Sequence, residues 1–299
     1  MAAPANASTS TDINFALDQQ AILNFNQEFD RLAQILGIFG VETLAAGVQL
    51  NQLKITGTLN DGKTEDSSSG EAYIEGDLVA LSKFMAEKVP VGSITAKPYR
   101  KQTTAQAILT SGYEAAVLGT DQKMLAKVRG GIVKKFFDFL GNGKGTATGA
   151  GLQAALAKVD ATLGDTLEAN DDEASRIIHF VNRQDSADYL GKAAITDQTV
   201  FGMTYLQNFL GVTDVFLTSK VPAGTVYATP VENIHIFGMD FAALSKGGLV
   251  YQQSSNSLIG VAHEGGYDHA SSFTNILTGA TMFAEVQDYI VKGTVAPQA

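Results

Sequence analysis

Apolar positions along this chain change their period several times, and each change marks an element. Ile22, Phe25, Phe29, Leu32 and Leu36 recur at steps of three and four, with Gln19, Gln20, Glu28, Asp30 and Arg31 largely elsewhere. That spacing predicts an amphipathic helix that stops before Gly40. Residues 1–12 ahead of it are small and polar and bury too little apolar area to order themselves, so they are expected to form an arm ordered by a partner. Beyond the helix, Leu53, Ile55 and Leu59 share one face of an extended strand, and Ala72, Tyr73 and Ile74 begin a return. Between them lies the turn-rich DGKTEDSSSG. The segment reads as a long hairpin with a polar tip, which is marginally stable alone and must lie on another surface or flex.

The longest helical pattern runs from about Thr103 to Leu140, with interruptions expected near Gly119 or Gly130-Gly131. At about 100° per residue, Lys127 and Lys134 fall within about 40° of Lys123. Leu125, Val128, Ile132, Phe136 and Phe139 gather on the opposite side, so one face is basic and the other apolar. GNGKGTATGAG at 141–151 then stops the helix, with Gly141 placed as a left-handed cap. Leu152, Leu156, Val159 and Leu163 predict another helix, followed by an acidic loop at 168–173. Strands are expected at 177–181, 215–219, 225–229 and 233–237, and helices near 186–194 and 202–210. The closing FAEVQDYIV reads as a half-buried strand.

Charge divides the chain in a way its total hides. The net charge is -10, which argues against a protein whose main task is to neutralise phosphates. Yet 83–144 holds eleven Lys and Arg against four acids, +7, which leaves -17 for the rest. The hairpin from Lys54 to Leu78 carries six acids and two lysines. A like-charged block is ordinarily a solvated face; the sharper reading is a complementary surface on another copy of the chain. On that reading the suspected inter-subunit contacts are Glu65, Asp66 and Glu71 on the acidic side and Lys97, Arg100, Lys101, Lys123, Lys127 and Lys134 on the basic side.

The 299 residues are 45% hydrophobic and include no cysteine. The length suffices for one large domain or two smaller ones, and neither a disulfide framework nor a thiolate site is possible. Assembly inside a reducing cell fits that composition. The start MAAPANASTSTD lacks a basic region followed by an apolar run, and no stretch of about 18 apolar residues occurs, so secretion and membrane spanning are disfavoured.

Catalytic patterns are weak. HEGGYDH gathers His263, Glu264, Asp268 and His269, but its histidines stand six apart across Gly265-Gly266, where a zincin needs them four apart on one helix face. His179 and His235 sit in apolar strand patterns and read as core or sheet-face histidines. The glycine run at 141–151 invites comparison with a phosphate loop. Such a loop leaves a strand and opens a helix, whereas this run follows a helix, and Lys144 is followed by Gly145, not Ser or Thr. No G-x-S-x-G elbow occurs. Neither a catalytic residue, a cofactor nor a resident metal is expected.

The succession of arm and helix, acidic hairpin, long helix, Gly-rich link, mixed domain and late strand resembles the Hong Kong 97-type fold of tailed-bacteriophage major capsid proteins and encapsulin shells. The stretch GVTDVFLTSKVPAGTVYATPVENIHIFG, 211–238, is similar to the axial-domain passage of such capsids. The resemblance implies an α+β fold divided as follows: arm and helix at 1–50, an extended hairpin loop at 51–82, a peripheral domain with a spine helix at 83–150, an axial domain at 151–260, and a return to the peripheral domain with the C-terminal strand at 261–299. It implies no enzyme but a structural protein that self-assembles as hexamers and pentamers into an icosahedral head around double-stranded DNA, without sequence-specific recognition. Its expected place is the virion, after assembly in the host bacterial cytoplasm. Expected partners are further copies, a separate scaffolding protein, since about 50 residues precede the hairpin, a portal and decoration proteins. Lys63 sits at the hairpin tip, where some family members form a crosslink, but no asparagine or acid partner is identifiable and no covalent mesh is expected. Two alternatives stand beside this: an encapsulin-type compartment, and a metal-dependent enzyme using His263 and His269.

Overall fold

IIHFV is apolar at four of five positions and VFLTS and TVYAT at three successive ones, runs without alternation that suit strands covered on both faces. In the computed structural model, which describes residues 7–8, 35, 37–44, 48–60, 78–192, 205–207, 214–253 and 258–297, all three lie inside one six-stranded sheet. In chain order the strands are β1 (Ala7–Ser8), β2 (Glu42–Leu44), β3 (Leu50–Thr58), β4 (Lys83–Gly92), β5 (Lys97–Thr104), β6 (Gly145–Ala150), β7 (Ile177–Asn182), β8 (Tyr205–Gln207), β9 (Asp214–Thr218), β10 (Thr225–Pro230), β11 (Ile234–Met239), β12 (Gln252–Gln253), β13 (Ile259–Gly266), β14 (Ser271–Thr278), β15 (Ala280–Ala284) and β16 (Val291–Ala296). The principal helices are α1 (Ala105–Ser111), α2 (Thr120–Leu140), α3 (Gly151–Ala169) and α4 (Arg183–Lys192). The chain divides into two compact units, 47–93 and the remainder.

The six-stranded sheet runs β6-β16-β10-β7-β9-β8. Side chains of β7 alternate between two helices. Ile178 and Phe180 join the cluster around α2, while Val181 joins the one under α3. On β10, Tyr227 takes the α2 side and Val226 and Ala228 the α3 side. The α3 stripe read from sequence is buried as expected: Leu152, Leu156, Val159 and Leu163 all lie against this sheet. Full burial of each such side chain contributes about 1.5–3 kcal/mol. A five-stranded sheet, β1-β5-β14-β13-β12, and a three-stranded one, β15-β11-β2, complete the larger unit. Helix α2 is the common element of its core: Val128, Ile132, Val133, Phe136, Phe137 and Leu140 pack with Phe180 and Phe216, with Ile234 and Ile236, and with Ile259 and Ile276.

Several expectations are corrected. The helical pattern from Thr103 breaks at Gly112, which has φ +79°, continues as a wide π turn at Glu114–Gly119, and then runs through Gly130-Gly131 without interruption. Gly141 is right-handed, φ -62°, and caps α2 by donating to the carbonyls of Phe137 and Phe139. The glycine run is not merely a link after a helix. Its residues 145–150 are the edge strand β6, parallel to β16, and that strand passes directly into α3. A Cβ on Gly149 would lie 2.3 Å from the backbone of Ala154 and Ala155, so only glycine permits this approach. Within the expected helix at 202–210, Tyr205–Gln207 is instead a strand on β9. FAEVQDYIV is the end of β15, a 3-10 turn at Gln287–Tyr289 and the start of β16. Of the amino-terminal arm, Ala7–Ser8 pairs in parallel with Gln102–Thr103. Of the expected first helix, Ile35 and 37–39 are helical, and Ile35 is buried; Ile22, Phe25, Phe29, Leu32 and Leu36 lie outside the described residues.

Candidate assembly surfaces

The smaller unit is a hairpin. Its strands β3 and β4 pair antiparallel from Thr58↔Lys83 to Leu50↔Gly92, with an irregularity beside Asn51↔Pro90, where proline has no N–H to give. Lys83 and Lys88, counted above with the basic segment, therefore belong to the hairpin. Ala72, Tyr73, Ile74, Lys63 and the acids Glu65, Asp66 and Glu71 lie outside the described residues. Where the tip begins, Asn60 donates its backbone N–H to Ser82 Oγ at 3.0 Å and its side-chain amide to the Leu81 carbonyl at 2.5 Å. The Phe84 ring occupies the space over Gly57, where a Cβ would come within 2.0 Å of it. That ring is nonetheless 64% exposed, and Met85, Val79, Leu78, Leu59 and Leu81 are exposed with it. Large apolar side chains left in water on both faces of one hairpin make it a candidate interaction element. Of these, Leu59 stands out in the sequence pattern, whereas Phe84 and Met85 lie beyond the hairpin expected at 51–82, whose return strand β4 instead runs over Lys83–Gly92.

On the larger unit, Lys123, Lys127 and Lys134 are exposed along α2, and Lys134 pairs with Asp138 at 2.6 Å. Lys97 and Arg100 are exposed on β5, with the Arg100 guanidinium 3.9 Å from the Phe273 ring centroid. Lys101 differs from all of these. Its ammonium turns inward to Asp121 Oδ1 at 2.5 Å and donates to the Val117 carbonyl at 3.0 Å and to Thr120 Oγ1. Lys135, which sequence reasoning did not single out, bonds the Ala280 carbonyl, and burial, then Lys97, holds its pKa below the usual lysine value.

HEGGYDH is divided between β13 and the 3-10 turn Tyr267–His269. His263 Nε2 lies 2.8 Å from Asp121 Oδ2, across 142 positions of sequence. Among the described residues, no three His, Cys, Asp or Glu come together as a metal site would require. His235 faces Glu285 at 2.8 Å and stacks on Phe283. His179 is fully buried, its Nε2 3.4 Å from Asp160 Oδ1, too long for a strong hydrogen bond, and its Nδ1 is unpaired. Even so, that contact holds the Asp160 carboxyl below its ordinary pKa, against the opposing effect of burial. Among the described residues, no helix is long and apolar enough to cross a membrane.

No protein-family model matches the chain, and no curated protein does. Solved structures do. The capsid structure of cyanophage P-SCSP1u aligns with a TM-score of 0.57 at 8% identity, covering 87% of each chain. The capsid of the native GTA particle gives 0.57 at 11% identity, covering 89% of this chain and 90% of its own. The fold is that of a capsid subunit. The same capsid fold extends to the holo-SrpI encapsulin complex of Synechococcus elongatus, with a TM-score of 0.52 at 11% identity over 87% and 86% of the two chains. At such identities the path of the backbone is shared and side-chain roles are not transferred.

Proposed function

We propose that this chain is the shell-forming major capsid protein of a tailed bacteriophage, with no reaction to catalyse. The observation that carries the reading is the capsid fold, matched over nearly the whole of this chain and of its structural neighbours. In this Hong Kong 97-type reading β3, β4 and their tip are the extended loop that lies on a neighbouring subunit, α2 is the spine of the peripheral domain, and 151–260 supplies the axial domain. The exposed Phe84, Met85 and Leu81 support it, since a hairpin with that surface needs cover. Copies assemble as hexamers and pentamers in the host bacterial cytoplasm and close around double-stranded DNA in the virion, with a scaffolding protein, a portal and decoration proteins as further partners. The acids Glu65, Asp66 and Glu71 meet Lys97, Arg100, Lys123, Lys127 or Lys134 of another copy; Lys101 is committed to Asp121 within its own subunit.

Electron microscopy of the purified chain under assembly conditions tests this. Closed icosahedral shells or capsomers are expected, and a chain that stays monomeric at every concentration, ionic strength and crowding condition tried would overturn it. A second reading, an encapsulin-type compartment, has the encapsulin likeness in its favour. The contents of native particles separate the two: genome-length DNA belongs to the phage head, and a bound enzyme cargo to the compartment.

A further inference from the structure

The junction between the five-stranded sheet and the start of α2 is more elaborate than packing requires. Register places His263, Thr274 and Lys101 side by side in one row across β13, β14 and β5. Asp121, in the first turn of α2, comes down on that row with its side chain 7% exposed, and reaches Lys101 with one oxygen and His263 with the other. Just before Asp121 the helix is not α but π, from Glu114 to Gly119. A π turn holds one extra residue, is rare, and persists where surrounding contacts impose it. Here one comes from outside the helix, the Lys101 ammonium, and the others from Thr120 at the end of the turn. The Val117 carbonyl takes the Thr120 backbone N–H, the Thr120 hydroxyl at 3.0 Å and the Lys101 ammonium at 3.0 Å. That hydroxyl also reaches the Ala116 carbonyl at 2.8 Å. Gly112, at φ +79°, separates this turn from α1 and leaves its amino-terminal side free of a continuous helix.

We infer that Lys101, Asp121 and His263 form a latch that holds the wide turn, and that α2 has a second register in which 114–119 tightens to α when the latch opens. Tightening would remove the spare residue and rotate the segment from Tyr113 to Val117 by about 100° about the axis. One group is placed to serve the second state: the Thr274 hydroxyl is fully buried in the latch row with no hydrogen-bond partner. Lys101 is a positioning residue, since it sets the phase of the helix through a carbonyl and a carboxylate. The latch belongs to the single subunit, so its test does not depend on shell formation.

The chain has no cysteine, so spin labels can be placed at will. In a Tyr113→Cys, Ala126→Cys monomer the latch gives one label-to-label distance, and adding Lys101→Met produces a second population. Amide exchange at 117–121 then rises by about tenfold more than exchange at 136–140 of the same helix, because only the turn is released. An unchanged single distance, with both ends of the helix exchanging in step, would overturn the inference and leave an ordinary buried ion pair. Where Lys101→Met does not fold, Asp121→Asn keeps the shape of the latch, removes the charge that both Lys101 and His263 face, and is read by the same two outcomes.

Discussion

Phe136 sits where the layers of the larger unit meet. Its ring is edge-on to Phe137 at 5.3 Å and to Phe180 at 5.7 Å, and tilted against Phe39 at 5.4 Å. With 1% of its surface exposed, truncation to alanine leaves a cavity that the surrounding rings cannot close. Phe136→Ala is expected to lower unfolding stability by roughly 3–5 kcal/mol in denaturant titrations. Phe139, only partly buried, costs less, and Lys134→Ala, at an exposed ion pair, leaves the monomer near its parent stability. Tyr289 gives a pH signature. Burial, then its hydrogen bond to Asp172, pushes its hydroxyl up to about 12, above the ordinary 10.0. A raised pKa means stability that is complete below pH 10 and lost as pH rises through 12. The alkaline limb of the stability curve should therefore steepen above pH 10, and Tyr289→Phe should flatten it. Asp160 has the opposite sign. Its lowered pKa contributes stability above the ordinary carboxylate value that disappears as pH falls through the folded value.

At the level of elements, the legible parts were those whose burial leaves a local pattern. The α3 stripe could be read because it repeats at helical spacing, and the runs that became β7, β9, β10 and β11 because short apolar stretches bounded by turn residues mark buried strands. Helix α2 was legible by its helical period for Val128, Ile132 and Phe136, but Val133, Phe137 and Leu140 are buried outside that stripe because α2 is covered from more than one side. What escaped were elements set by distant partners. KPYRKQTT carries little apolar pattern and becomes β5 because β14 supplies its ladder along eight residues. TATGA reads as a linker and becomes β6 because β16 lies beside it and α3 presses its backbone onto Gly149. Tertiary context overrides propensity in both. The contact Lys101–Asp121–His263 joins residues up to 162 positions apart in sequence, which no local motif encodes. The β6 account is testable. Gly149→Val should prevent folding of the subunit, because a Cβ there lies 2.3 Å from helix backbone that has no side-chain freedom with which to yield; a variant that melts like the parent by circular dichroism would show that the strand and helix can move apart to admit a side chain.

For the molecule as a whole, the segregation of charge matters more than its sum. A net -10 would hold copies apart, yet the basic residues collect on β5 and α2 while the hairpin tip is acidic, so attraction is available wherever one copy's tip reaches another's basic surface. Each exposed pair adds at most about 1 kcal/mol, too little to hold two subunits together. If copies close into the proposed shell, the same contact would recur in every copy, and apolar burial of Phe84, Met85 and Leu81 would supply the larger part of each interface while the charges would select its register. Salt separates these contributions, because at about 1 M the Debye length falls to about 3 Å and only the charge term is screened. Glu65→Lys with Asp66→Lys is thus expected to slow or misdirect assembly while leaving the monomer's Tm unchanged, and to do so less at high salt, where the parent has lost the same attraction. Adding Lys123→Glu with Lys127→Glu should partly restore assembly, read by light scattering and confirmed by microscopy. Normal assembly of the first pair of reversals, or a defect indifferent to every reversal on β5 and α2, would mean that both charge blocks are only solvated faces and that apolar contacts alone set the register.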